Sequence, residues 1–444
     1  MASTHPLPVA NAAAPPVDRK ALRRVVAASV AGNALEWYDF FLYSTAAALV
    51  FGELFFPKGT SPLLGTLAAF AGFAVGFVAR PIGGVLFGHL GDRYGRKGAL
   101  VWTLSIMGGA TFLIGLLPTY AQAGIWSPLL LLVLRVLQGV ASGGEWGGGV
   151  LMISESAPPE QRGFYASWSQ IGVGGGFVLS AAVFFMVQML PHADFMAWGW
   201  RVPFLLSIGI FGIGVYIRST LPESNDFAKA EAAGRTTRMP VLEVIRTHPK
   251  AILIAMGLRV AENGGSYIFL AFSLVYGRFI GISSSVMLAG VMVSMTVELA
   301  MMLFWGRLSD KIGRKPVYMI GAVGLILIAF PFFMLLDTKA PALIWLALLL
   351  GNPVCHGAMI GTQPSLMGEL FSTEVRYSGM ALGHEIASVF AGGLSPLVAT
   401  ALLAKYHAPW PVALMLIAMG LITVIALLCA RETLPRATRE RPGA

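Results

Sequence analysis

Twelve long apolar runs dominate this chain. They lie near residues 25–51, 64–88, 99–117, 128–154, 163–190 and 200–219, and again near 249–276, 284–306, 317–336, 342–368, 377–403 and 408–430. A helix needs about 20 apolar residues to cross the hydrocarbon of a bilayer. Strands of a membrane barrel would be about 10 residues long with alternating polarity. These runs are longer and do not alternate, so they predict helices. Only 12% of the 444 residues are charged against 56% hydrophobic, too few polar groups to cover a single soluble core, and the apolar share excludes disorder. The predicted fold class is an all-α membrane protein with twelve transmembrane helices.

The basic residues predict its orientation. With the N-terminus inside and the runs alternating, 23 of the 31 Lys and Arg fall in cytoplasmic segments, 5 fall outside, and Arg80, Arg135 and Arg259 fall within spans. Lysine and arginine concentrate in cytoplasmic loops, so both termini of this multi-pass membrane protein are expected in the cytoplasm. The same bias accounts for the net charge of +9 without nucleic acid as a partner. Cys355 and Cys429 both sit in apolar runs and supply neither a disulfide framework nor metal-ligand spacing. Residues 1–24 read as a cytoplasmic tail, 25–219 as a six-helix bundle, 220–248 as a polar cytoplasmic loop, 249–430 as a second six-helix bundle and 431–444 as a second tail.

The chain repeats itself at about half its length. Gly88-His89-Leu90-Gly91-Asp92-Arg93-Tyr94-Gly95-Arg96-Lys97 returns as Gly306-Arg307-Leu308-Ser309-Asp310-Lys311-Ile312-Gly313-Arg314-Lys315. Glu155 precedes Arg162 by seven residues, as Glu369 precedes Arg376. Parallel repeats about an axis along the membrane normal are a transporter design. With these motifs the chain resembles the major facilitator superfamily over essentially its whole length, and within it the metabolite:proton symporter family. The resemblance is carried by GNALEWYDFFLY (Gly32–Tyr43), FVARPIGGVLFGHLGDRYGRK (Phe77–Lys97), RVLQGVASGGEWGG (Arg135–Gly148) and WGWRVPF (Trp198–Phe204). LRVAEN in the seventh run, Gln363-Pro364 and Arg376–Gly379 lean toward the shikimate permease branch, with α-ketoglutarate, citrate and proline/betaine permeases as relatives. The resemblance implies a bacterial inner-membrane location and alternating access, with Asp92, Arg93, Arg96, Asp310, Arg314, Glu155, Arg162, Glu369 and Arg376 controlling the conformational change.

Ionisable residues inside a span cost about 2.5–3.5 kcal/mol each on insertion scales, and this chain places many there. They fall on stripes. Glu36, Asp39 and Tyr43 share one face of the first helix; Arg135, Gln138, Ser142 and Glu145 share one face of the fourth. Arg259, Glu262, Asn263 and Ser266 do so in the seventh, and His356 and Gln363 stand seven apart in the tenth. Glu298, His384 and Glu385 complete the set. In the resembled superfamily these four helices line the central cavity, and its sugar:proton symporters set a proton-carrying Asp on the first helix against an Arg on the fourth.

Asp39 and Arg135 match those positions and are the expected proton-coupling pair. With Arg135 near, Asp39 is ionised; with Arg135 withdrawn it takes a proton. The competing reading is a permanent structural ion pair. Glu36 is the second proton candidate, and Arg80 reads as structural, neutralising a nearby carboxylate. Arg259, about 16 Å from the cytoplasmic end of its helix, offers a fork for a solute carboxylate; the alternative is an i,i+3 pair with Glu262 alone. Glu262, Asn263, Tyr43, Gln170, Tyr267, Gln363 and His384 are the other candidate solute contacts.

No Gly-x-x-x-x-Gly-Lys-Ser/Thr loop is present, so an ion gradient, with the proton as coupling ion and no other cofactor or metal, is the expected energy source. The expected function is import of a small organic acid by proton symport in a monomer, and no enzyme activity. Proton symport of a zwitterion such as proline or betaine, anion exchange, and a non-transporting receptor are the alternatives. An acidic first helix argues against exchange, and the short C-terminal tail against a receptor.

Overall fold

Among the described residues, every apolar run lies on a helix. The computed structural model describes residues 19–57, 61–94, 96–143, 150, 153–154, 157–220, 240–371 and 376–434. The principal helices are α1 (Arg19–Ala46), α2 (Pro62–Tyr94), α3 (Arg96–Leu116), α4 (Trp126–Ser142), α5 (Arg162–Gln188) and α6 (Val202–Thr220). They are followed by α7 (Pro249–Tyr267), α8 (Ser284–Ile312), α9 (Arg314–Asp337), α10 (Pro341–Leu370), α11 (Arg376–Ser388, resumed over Leu394–Tyr406) and α12 (Trp410–Cys429). No strand occurs among the described residues. Eight helices there are long and apolar enough to cross a membrane, and α3 and α4 contain shorter apolar stretches. The first and seventh helices fall outside that set; both carry interior charges, Glu36 and Asp39 on α1 and Arg259 and Glu262 on α7.

Two boundaries differ from the sequence expectation. Helix α1 begins at Arg19, inside the segment read as a tail, and Leu22 is already buried there. A short helix, Pro240–Thr247, occupies the end of the stretch read as a loop; residues 221–239 lie outside the described residues, as do 1–18 and 435–444. Four long helices also contain a π-helical turn: Ala47–Phe51 after α1, Ile268–Phe272 after α7, Leu350–His356 within α10 and Val389–Gly393 within α11.

The polarity is that of a membrane protein. Leu327 and Met334 on α9 and Ile425 and Leu428 on α12 face outward, whereas Glu36, Asp39, Arg80 and Arg135 are fully buried. Helix α5 packs along both α1 and α8, α2 lies against α4 and α11, and α7 lies against α11 and α12. Glycines set the closest of these approaches, since small residues let helix backbones come near one another. A Cβ on Gly143 would stand 1.8 Å from the Arg80 carbonyl of α2, and one on Gly176 would stand 2.4 Å from the Ala34 carbonyl of α1. Both neighbours are backbone and cannot yield. Gly143→Leu and Gly176→Leu should therefore each destabilise the fold by more than the roughly 1–3 kcal/mol usual for overpacking. A lowered midpoint of thermal unfolding in detergent would show it; an unchanged midpoint would refute the packing assignment.

Candidate functional site

The polar stripes meet inside the helix bundle and form three connected clusters. The first joins α1, α3 and α4. Asp39 accepts hydrogen bonds from Thr111 of α3 and, at 2.9 Å, from Gln138 Nε2 of α4. Gln138 Oε1 in turn accepts from Arg135 Nη1 at 3.2 Å. Asp39 and Arg135 are thus linked through an amide, and no ion pair joins them directly; the sequence placed the two residues on facing stripes but could not show Gln138 lying between them. Arg135 is held by ring faces instead. Its guanidinium carbon lies 4.4 Å from the Phe40 centroid, 4.5 Å from Tyr43 and 4.9 Å from Phe73, an arrangement in which the ring quadrupoles attract the cation. Gly76 makes room for it, since a Cβ there would fall 2.5 Å from Arg135 Nε. Arg135 Nε and Nη2 and Asp39 Oδ2 are buried and have no hydrogen-bond partner. Tyr43 therefore belongs to the Arg135 cage; its hydroxyl donates to the Ala69 carbonyl, at 3.5 Å.

The second cluster centres on Arg80. It pairs with Glu36 at 3.2 Å, as the sequence suggested for one of the nearby carboxylates, and also with Glu385 of α11 at 3.1 Å. Ser142 donates to Glu36 at 3.0 Å, and His384 Nδ1 lies 3.0 Å from Glu385. His384, a candidate solute contact in the sequence, thus belongs to the Arg80 cluster and is not among the residues that line the cavity described next. Glu145 lies outside the described residues.

The third cluster surrounds Arg259. Its Nη1 donates to Glu262 at 2.6 Å and to Gln363 at 3.0 Å, and its Nε lies 3.4 Å from the Ser388 hydroxyl. Asn263 also donates to Ser388, at 3.2 Å. Arg259, Glu262 and Asn263 line a small interior cavity of about 20 Å³, with Trp37, Phe41 and Gln170 from the N-terminal side and Tyr267 and His356 beside them. Gln363 is fully buried behind Arg259 and braced by Tyr318 at 3.2 Å. The Trp37 Nε1, Gln170 Nε2 and Tyr267 hydroxyl groups are buried without hydrogen-bond partners. The site therefore presents the Arg259 guanidinium, the Glu262 carboxylate, the His356 ring and three unspent polar groups between aromatic walls. Tyr267 packs 5.3 Å from Phe73, so the cavity wall abuts the cage of Arg135. Glu298 and His356 join this cluster from α8 and α10. The sequence marked both as buried charges but gave them no role, because their pairing is between helices and leaves no spacing signal.

Both ends of the bundle are bridged. At the end carrying the basic loops, the Asp310 carboxylate accepts the Gly163 and Phe164 N–H groups at 2.9 and 2.8 Å. It thus caps the N-terminus of α5, where the helix dipole favours an anion. Arg314 Nη1 pairs with Asp310 at 2.6 Å and its Nε with Glu369 at 3.5 Å. Glu432, in the segment read as a free tail, accepts the Arg314 and Lys315 N–H groups at 2.9 and 3.1 Å. Arg162 bonds the Ser154 carbonyl at 3.1 Å, and Arg376 is half-buried at the start of α11. The side chains of Asp92, Arg93 and Arg96, and all of Glu155, lie outside the described residues. At the opposite end Arg278 pairs with Glu53 and donates to the Leu49 carbonyl at 3.4 Å.

Comparison with known proteins gives the family and the fold. Residues 30–384 match the Major Facilitator Superfamily. The chain belongs to that superfamily. Superfamily relatives include the shikimate transporter of Escherichia coli K12, 41% identical with 93% of this chain and 95% of the relative covered. The inner membrane metabolite transport protein YhjE of the same organism is 39% identical, with 92% and 94% covered, and its proline/betaine transporter 34% identical, with 95% and 85% covered. Among solved structures, the xylose transporter XylE from E. coli in a partially occluded inward-open conformation superposes with a TM-score of 0.69 at 18% identity, over 93% of this chain and 98% of that one. This superfamily member is a multi-pass inner-membrane transporter and not an enzyme.

Removing the Asp310 charge should loosen the basic end. Asp310→Asn should weaken its charge-assisted bonds by about 1–2 kcal/mol, a roughly five- to thirtyfold shift in population. Spin labels at the exposed positions of Gln161 and Lys311 would then report longer distances. An unchanged distance distribution would show that Asp310 does not hold this end closed.

Proposed function

We propose that the protein imports a small organic acid, shikimate-like or another mono- or dicarboxylate metabolite, by proton symport through alternating access. Twelve spans form two six-helix bundles, 25–219 and 249–430, joined by 220–248, with both termini in the cytoplasm and the protein working as a monomer. The observation that carries this reading is the Arg259 cavity, in which a guanidinium and unspent donors from both parts of the chain face one another. The fork of Arg259 suits a carboxylate; Gln170, Asn263 and Tyr267 suit hydroxyls. The cavity volume of about 20 Å³ holds little more than a water molecule, so solute entry requires the bundles to part, as alternating access demands. Asp39 carries the coupling proton, its unpartnered Oδ2 being the place where one would sit, with Glu36 as the second candidate. The proton is the coupling ion and no other cofactor is needed.

Arg135 acts through Gln138 in this mechanism. Its caged guanidinium and the cavity share the Tyr267–Phe73 contact, which gives solute binding a physical route to the Asp39 cluster. Asp92 and Asp310, with Arg93, Arg96, Arg314, Glu155, Arg162, Glu369 and Arg376, govern closure of the cytoplasmic end. A second reading, proton symport of a zwitterion such as proline or betaine, draws on Trp37, Phe41, Tyr267 and Glu262 together, since aromatic faces and a carboxylate suit a quaternary ammonium. The relatives named above are transporters, and none supports a receptor that binds without moving its solute.

Uptake of labelled shikimate, 2-oxoglutarate, citrate, proline and betaine into proteoliposomes, with and without an inward proton gradient, tests the assignment. Gradient-driven accumulation of an acid is expected; accumulation of betaine alone would select the second reading, and counterflow without gradient dependence would reject symport. Asp39→Asn should abolish accumulation while leaving counterflow, and accumulation surviving in that variant would exclude Asp39. Arg259→Ala should raise the KM for an acid by about tenfold to a hundredfold, from the loss of a charged hydrogen bond worth about 1.5–3 kcal/mol. Unaltered uptake would remove Arg259 from the site.

A further inference from the structure

A second row of titratable groups lies apart from Asp39. Glu298 of α8 stands 2.5 Å from His356 Nδ1, and Glu262 of α7 stands 3.3 Å from His356 Nε2. All three side chains are at most 4% exposed. Such a row has a fixed hydrogen count. A neutral imidazole carries one N–H and one bare nitrogen, and an ionised carboxylate only accepts. With the ring neutral and both carboxylates ionised, one contact would set lone pair against lone pair. Both contacts become hydrogen bonds only when one further proton is present.

The surroundings say where that proton belongs. Glu262 already has Arg259 at 2.6 Å and Gln363 at 3.0 Å. Glu298 has no such cation: its Oε2 is buried without a hydrogen-bond partner, and among the described residues His356 is the group that pairs with it. The charged or titratable groups around the ring are Glu298 from α8, Glu262 and Arg259 from α7 and, through Gln363, Tyr318 from α9. With the extra proton, two cations balance two anions; without it, the row carries an uncompensated negative charge away from water, which a low-dielectric interior disfavours strongly.

We propose that the Glu298–His356 pair is a second proton-binding site, distinct from the Asp39 cluster and linked to the solute through Glu262 and Arg259. An anionic solute that engages Arg259 competes with Glu262 for the guanidinium. Glu262, partly deprived of its cation, then holds the proton on His356 more tightly. Departure of the solute returns Arg259 to Glu262 and eases release of the proton. By linkage, the bound proton favours the anion to the same degree. The proton site itself needs only the geometry; what the proton drives rests on the symport reading.

Two measurements test this separately. Solute-free protein is examined at about pH 8, where an ordinary histidine is neutral. Nitrogen-15 NMR should show an imidazole protonated on both nitrogens that disappears in H356N, or infrared spectroscopy a protonated carboxylic acid that disappears in E298Q. Absence of both signals overturns the proposal. In proteoliposomes with shikimate as the probe, the number of protons moved per solute should fall by one in E298Q, and an unchanged ratio also overturns it. If the symport reading alone were wrong, the spectroscopic signal would persist while the wild type showed no gradient-driven uptake. If E298Q fails to fold, the wild-type and H356N spectra still decide the question.

Discussion

Charge buried away from water must be balanced, and most of this interior follows from that constraint. A lone ion in such a place loses several kcal/mol of solvation, so every buried carboxylate and guanidinium draws its neighbours around it. Arg80 sits between Glu36 and Glu385; Arg259 sits against Glu262. Arg135 takes the less common solution, with three aromatic faces and one amide in place of a carboxylate. Polar residues thus fix how the helices turn toward one another, while the lipid-facing side supplies little direction because Leu and Met there meet chains as apolar as themselves.

Arg80 binds partners on α1 and on α11, so a single side chain ties the first helix of the chain to its penultimate one. Breaking a buried pair by removing one member costs about 3–5 kcal/mol. A transporter cannot leave such a bond open during each cycle without something to replace it. Water, solute or a proton must enter as the pair separates, which makes the interior ion pairs points where motion and chemistry are joined. The pairs at the two ends differ: Arg278 and Glu53 are each more than a third exposed, so their bond can be exchanged for water at small cost, whereas Asp310 is 8% exposed and its partner Arg314 is fully buried.

The helices and the inward direction of their charges were legible in the sequence because both are periodic. The i, i+3, i+7 spacing of Glu36, Asp39 and Tyr43, and of Arg259, Glu262 and Ser266, sends these groups to one face whatever lies opposite. The half-chain repeat likewise marked Asp310 and Arg314. Pairing across helices was not legible. Nothing in the spacing of Gln138 shows that it separates Asp39 from Arg135, or that Glu298 meets His356 rather than a residue of its own helix. Glu432 reaches the start of α9 from a segment that reads as a tail, since a cap formed by a distant residue leaves no local pattern.

The π-helical turns give the long helices an added property. Each inserts one residue relative to the regular repeat, so the segments on either side are out of step by about 100° of rotation. In the first and seventh helices the turn separates the charged stripe from the end that carries Glu53 or Arg278. The end of the bundle and its charged interior are thus geared separately along one rod. Changes that reshape that end, in evolution or by design, can be made without re-aiming the Asp39 and Arg259 clusters.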